Sequence, residues 1–104
     1  MNTGTGKTAG TVGIEVKPMK ITLNGANMTS RADAHREIAL ALSFPAHYGN
    51  NIDALWDMIS HLEADVTLVN ATDMIAFLGD YGEKLIATFR DAADLNRGFK
   101  FHQE

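Results

Sequence analysis

Two aspartates stand four residues apart in the stretch FPAHYGNNIDALWDMIS, which runs from Phe44 to Ser60. The chain's only tryptophan, Trp56, sits beside the second of them. Paired carboxylates at this spacing can work as acid and base, help to hold a divalent cation, or present two negative charges to a cationic partner. On a helix, successive residues are about 100° apart, so Asp53 and Asp57 share a face roughly one turn apart. The apolar stripe of Ile52, Leu55, Ile59 and Leu62 faces elsewhere. The carboxylates are therefore expected in solvent. Like charges at i and i+4 cost an isolated helix about 0.2–0.5 kcal/mol. Asp53, in the first turn, is compensated by the helix dipole. Asp57, one turn further in, has no such compensation, and aspartate is a poor helix-interior residue.

The other chemistries find little support. A Mg²⁺ site would need further ligands or a substrate phosphate, and there is no second acidic motif. His35, His47, His61 and His102 are dispersed, without metal-ligand spacing, and read as surface or half-buried residues. No G-x-S-x-G or comparable nucleophile motif is present. GTGKT at Gly4–Thr8 lacks the first glycine of a phosphate-binding loop and follows no strand. The expectation is no metal, no cofactor and no catalytic residue.

The totals set the frame for this site. At 104 residues the chain is one domain's worth, with 45% apolar and 21% charged residues, a globular composition. It has no cysteine, which excludes disulfides and thiolate chemistry and fits a reducing cytosol. No run is long and apolar enough to span a membrane, and the N-terminus has no signal-peptide core. The expected location is the cytoplasm. The net charge of −4 is unevenly spread. Residues 37–83 hold eight acidic side chains and no lysine or arginine, whereas residues 1–36 are net basic. Such a field repels nucleic acid and attracts a basic partner.

The elements that must position the pair follow from periodicity. MKITLNG alternates Ile21 and Leu23 with polar residues and predicts a strand at about 19–24, closed by Asn-Gly. Ser30 is a candidate N-cap with Asp33 in the capping-box position. Ala34, Ile38 and Leu42 carry the helix behind it to about Ser43, before Pro45. A second helix begins near Asn51. DVTLVNA, Asp65–Ala71, reads as a strand. TDMIAFLGDY reads as a short helix capped by Thr72 and stopped by Gly79. A longer helix is expected at about 82–95, with Leu85, Phe89 and Ala92 on its inner face. Phe99 and Phe101 alternate in a last strand. Each crossover is long enough for parallel pairing, which predicts an α/β fold with a three-stranded parallel sheet and about four helices. Residues 1–18, rich in Gly and Thr, read as a flexible leader or upstream extension of a single domain over 19–104.

At Pro45–Met58, PAHYGNNIDALWDM resembles the signature of the barstar family, intracellular inhibitors of secreted bacterial ribonucleases of the barnase type. ITLNG, the Ala34/Ile38/Leu42 helix and FRDA at Phe89–Ala92 extend the likeness over about 19–104. The core Y-G-x-N-x-D-A-L-W-D is specific because it fixes turn, helix start, carboxylates and Trp in one register. The rest is ordinary hydrophobic pattern. The resemblance implies a non-enzymatic bacterial immunity protein, monomeric when free. Asp53 and Asp57 would enter the nuclease active site, with Asp57 the principal anchor and Trp56 packed beside it. Gly49 and Asn51 would shape the loop and helix start. His47 stands where the family usually carries a tyrosine, Asp91 where it carries a glutamate, and His61-Leu62 where its namesake has Gly-Trp. A second reading keeps the acidic face but gives it another basic protein as partner. A third, a small hydrolase using Asp53 and Asp57, needs a walled cleft that so short a chain can hardly build.

Overall fold

The computed structural model describes residues 19–104. The element order is β1 (Met19–Asn24), a 3₁₀ turn (Gly25–Asn27), α1 (Arg31–Leu42), α2 (Ile52–Ile59), β2 (Ala64–Val69), α3 (Ala71–Leu78), α4 (Asp80–Leu95) and β3 (Phe99–Gln103). The strands form one parallel sheet in the order β1-β2-β3. Its register aligns Lys20 with Asp65 and Asp65 with Lys100, and Thr22 with Thr67 and Thr67 with His102. This is the expected α/β architecture. The leader assigned to residues 1–18 lies outside the described residues.

Alternation along the central strand decides which face is covered. Ala64, Val66 and Leu68 are buried, while Asp65, Thr67 and Val69 are only half-buried. The buried side carries the helices. There α1 packs on β1 and α4 on β3, and α2 and α3 both lie against α4. Leu23, Ile38, Leu55, Ile59, Leu85, Phe89 and Phe99 form the core, and Phe89 stacks on Phe101 with ring centroids 5.1 Å apart. Burial of each such side chain contributes about 1.5–3 kcal/mol. The opposite face of the sheet stays open and polar, lined by Lys20, Thr22, Asp65, Thr67 and His102.

Local chemistry explains most boundaries. Ser30 caps α1, its hydroxyl accepting from the Asp33 N–H at 3.1 Å. Asp33 does not complete the capping box. Its carboxylate accepts from Thr29 Oγ1 and Arg36 Nη1, each at 2.7 Å, and these bonds hold it below the usual carboxylate range. The Asn24-Gly25 signal marks a 3₁₀ turn. A Cβ on Gly25 would lie 2.2 Å from the Asn70 carbonyl oxygen, so the chain after β1 can press against the chain after β2 only with glycine there.

Several predicted boundaries shift. α2 ends at Ile59, leaving Leu62 in the turn beyond. β2 runs one residue earlier and stops before Asn70. That residue adopts φ +56° and takes the cap position of α3 without a side-chain capping bond, so Thr72 lies inside the helix. Gly79, at φ +57°, stops α3 as expected, but α4 resumes at once from Asp80. Among the described residues, no helix is long and apolar enough to cross a membrane.

Candidate functional site

The loop before α2 is built from its own residues. The Pro45 carbonyl accepts from the Tyr48 N–H at 3.0 Å, closing a turn. The left-handed position is Asn50, at φ +55°, and not the adjacent Gly49. Asn51 works in both directions. Its Oδ1 accepts from the Ala54 N–H at 2.7 Å and caps the helix, while its Nδ2 donates to the Gly49 carbonyl at 3.2 Å and ties down the loop. An N-cap of this kind stabilises a helix by about 0.5–2 kcal/mol. One asparagine thus sets both the entry angle of α2 and the path of the loop beside it.

On α2, Asp53 and Asp57 are both exposed, while Leu55 and Ile59 are fully buried. Trp56 is half-buried against the core edge. The two carboxylates project from the outer ridge of the helix, about 6 Å apart along its axis. Among the described residues, no lysine, arginine or histidine lies within 4 Å of either. Asp57 lines a shallow groove with His47, Gly49, Pro45 and Met58. Asp53 lines a second groove with Asn51, Arg31 and Tyr81. The fold therefore gathers Asp53, Asp57, Trp56, His47, Gly49 and Asn51 on α2 and the loop feeding it. Asp91 is exposed on α4, the helix that packs on α2, and lines neither groove.

The acidic middle of the sequence does not fold into one uniform patch. Glu37 accepts from the Asn24 N–H at 3.1 Å, and Asp65 pairs with His102 at 3.0 Å. Asp53, Asp73, Asp80 and Glu83 stand in first turns of helices, where the dipole favours them. Glu63 is in a loop. Of the eight acidic residues between 37 and 83, only Asp57 sits past the first turn of a helix with neither a cap role nor a partner among the described residues; Asp91 and Asp94 on α4 are likewise exposed and unpaired.

Sequence reasoning missed one buried polar cluster. His35, read as a surface or half-buried residue, is fully buried. Its Nδ1 lies 2.8 Å from the Tyr48 hydroxyl and its Nε2 lies 2.7 Å from the Tyr81 hydroxyl. Burial holds the imidazole below its ordinary pKa and raises both phenols. Arg31 stacks over the Tyr81 ring at 4.2 Å. The signal was available: His35, Ile38 and Leu42 fall at offsets 0, 3 and 7, on the inner stripe. Among the described residues there is no cluster of three or more carboxylates and histidines that could hold a metal ion.

Such a site belongs to a binding protein. A small α/β domain presents an acidic helix ridge beside a tightly tied loop. Comparison with known proteins agrees. The family model for barstar (barnase inhibitor) matches residues 19–104. A Bacillus subtilis (strain 168) protein named "Putative ribonuclease inhibitor YrdF" is 30% identical over 78 residues, 72% of this chain and 86% of the relative. The chain belongs to the barstar family. That family consists of inhibitors and not enzymes, which gives this protein a barnase-inhibitor-like role.

Proposed function

We propose that this protein inhibits a secreted bacterial ribonuclease of the barnase type by inserting Asp53 and Asp57 into its cationic active site. The observation that carries the reading is Asp57, an exposed carboxylate past the first turn of α2, with no intramolecular partner among the described residues. A ribonuclease site holds RNA phosphates with cationic side chains. Carboxylates one helical turn apart meet the same donors with short, charge-assisted hydrogen bonds, bidentate where the donor is arginine. Asp57 is the principal anchor and Asp53 the second. Trp56 gives the ridge an apolar flank. His47 and Gly49 form the wall beside Asp57, Asn51 fixes the helix start, and Asp91 adds a peripheral charge pair. The protein acts as a cytoplasmic monomer that protects the producing cell, and the absence of cysteine suits that compartment.

The remaining acidic groups speed the encounter by steering. Added salt screens exposed charges beyond about 8 Å at physiological ionic strength, so it should slow association more than it speeds dissociation. The direct test is RNA cleavage by barnase-type nucleases titrated with purified protein. Stoichiometric loss of cleavage for at least one nuclease is expected. Full cleavage by every nuclease in excess inhibitor would remove the proposal.

A further inference from the structure

The His35 cluster joins three elements: α1 through His35, the loop through Tyr48 and α4 through Tyr81. Its proton arrangement follows from counting donors and acceptors. A neutral imidazole has one N–H and one bare nitrogen, so one tyrosine donates to the ring and the other accepts from it. The accepting tyrosine must send its own hydroxyl hydrogen elsewhere. Tyr48 is buried, at 8% exposure, and among the described residues its hydroxyl has no other partner. Tyr81 is half-exposed and opens onto the groove it shares with Asp53 and Arg31. Tyr81 can therefore release a hydroxyl hydrogen to water, and Tyr48 cannot. The structure thus selects the Nε2–H tautomer, with Tyr48 donating to Nδ1 and Nε2–H donating to Tyr81.

We propose that His35 is a positioning residue for the partner-binding loop: its bare Nδ1 holds the Tyr48 hydroxyl, and a proton arriving on Nδ1 releases Tyr48 and loosens the loop. This rests on the reading that the loop and α2 meet the ribonuclease. With Nδ1 protonated, both ring nitrogens donate. Tyr48 would have to turn and accept, leaving its hydroxyl hydrogen without a partner in a buried space, and an unsatisfied group of that kind is strongly disfavoured. Tyr48 is the loop's side-chain hydrogen bond to the domain core. Its other anchor is apolar, the Phe44 ring at 4.8 Å between centroids. Losing the first anchor frees the segment that carries His47 and Gly49 and leads to the Asn51 cap.

Little else around the ring can compensate a new positive charge. No carboxylate lies within 4 Å of its nitrogens among the described residues. On its own helix, Arg31 is already stacked on Tyr81, Asp33 is paired with Arg36, and Glu37 is turned to the Asn24 N–H. From α4, Asp80, Glu83 and Lys84 are exposed, from α2 Asp53 is exposed at the mouth of the Tyr81 groove, and from β1 the inward residues are Ile21 and Leu23. The loop's other titratable group, His47, is exposed and lies away from the ring, in the Asp57 groove.

The test uses the full chain labelled with ¹⁵N. Imidazole nitrogen shifts report the tautomer. Amide hydrogen exchange at Tyr48, bonded to the Pro45 carbonyl, and at Ala54, bonded to Asn51 Oδ1, corrected for intrinsic rate, reports the loop between pH 7.5 and 5. Nuclease inhibition is followed over the same range. The expected result is an Nε2–H tautomer at pH 7.5. Loop protection should then fall by up to about tenfold per pH unit below the ordinary histidine pKa of about 6.5. That dependence should persist in His47→Gln. Tyr48→Phe should show low protection at every pH, and if that variant fails to fold, wild type and His47→Gln decide the question. An Nδ1–H tautomer, flat protection in wild type, or a dependence that vanishes in His47→Gln would each overturn the inference. Flat protection with full inhibition would sink the His35 coupling and leave the ribonuclease reading standing. Acid loosening with no nuclease inhibited at any pH would do the reverse.

Discussion

The outer ridge of α2 and the open face of the sheet are both exposed and both carry carboxylates, yet they handle charge in opposite ways. On the sheet, Asp65 stands in register between Lys20 and Lys100 and bonds to His102 at 3.0 Å. Its carboxylate finds a partner within its own chain. On α2, Asp53 and Asp57 repeat the same charge one turn apart, and no cationic side chain among the described residues lies within 4 Å of either. The sheet face shows what this protein does with a carboxylate that serves only its own fold. The ridge departs from that pattern, and the departure points to charges that are answered by another molecule.

Five substitutions and one titration can break this contrast or sharpen it. The largest effect should come from Asp57→Ala. Truncating one partner of a buried interfacial charge pair costs about 2–5 kcal/mol of affinity, barnase–barstar itself being among the complexes in which such couplings are measured. The stability of the free protein should stay within about 0.5 kcal/mol in denaturant titration, since the exposed Asp57 carboxylate makes no hydrogen bond or ion pair among the described residues. Asp53→Ala should weaken inhibition less than Asp57→Ala. Its own contribution to the α2 N-terminus, about 0.3–1 kcal/mol, should also appear as lower stability.

Acid should next reveal the buried His35. His35, buried and neutral, has its folded-state pKa held below the unfolded value, so the unfolded chain binds the proton more readily. Its stabilisation is complete above about pH 6.5 and is lost progressively as the pH falls from there toward the folded-state pKa. Denaturant midpoints measured from pH 8 to 5 should fall in that window, and His102→Gln should leave that fall in place. Asp91→Ala should cost only about 0–1 kcal/mol of affinity, as a solvent-exposed peripheral pair. Asp65→Asn should be smallest of all in binding. It should leave inhibition unchanged and alter stability by no more than about 1 kcal/mol, because its contact with His102 is partly solvent-exposed. An Asp65→Asn effect on inhibition as large as that of Asp57→Ala would erase the contrast between the two faces.

Much of this fold is legible in the residues because local and global signals agree. Ile21 and Leu23 alternate as a half-buried strand must, and Ala34, Ile38 and Leu42 repeat at helical spacing and are buried as that spacing requires. The outward pointing of Asp53 and Asp57 follows from the same stripe logic applied to Ile52, Leu55 and Ile59. The misses occur where a decision is tertiary. Thr72 has the composition of a cap, but the chain turns left-handed one residue earlier, at Asn70, whose Nδ2 bonds Asn24 Oδ1 across 46 residues at 2.8 Å. His35 looks polar in isolation and is buried because two tyrosines, 13 and 46 residues away, satisfy both ring nitrogens. The spread of the acidic run over several elements is likewise a matter of folding, since a run in sequence need not be a patch in space.

The central claim is that Asp57 replaces an RNA phosphate in a nuclease active site. A double-mutant cycle between Asp57→Ala and an alanine substitution of a phosphate-holding arginine in the inhibited ribonuclease tests it most directly. The account predicts a coupling energy above about 1.5 kcal/mol. Coupling within about 0.5 kcal/mol of zero, with both single variants still folded, would contradict it.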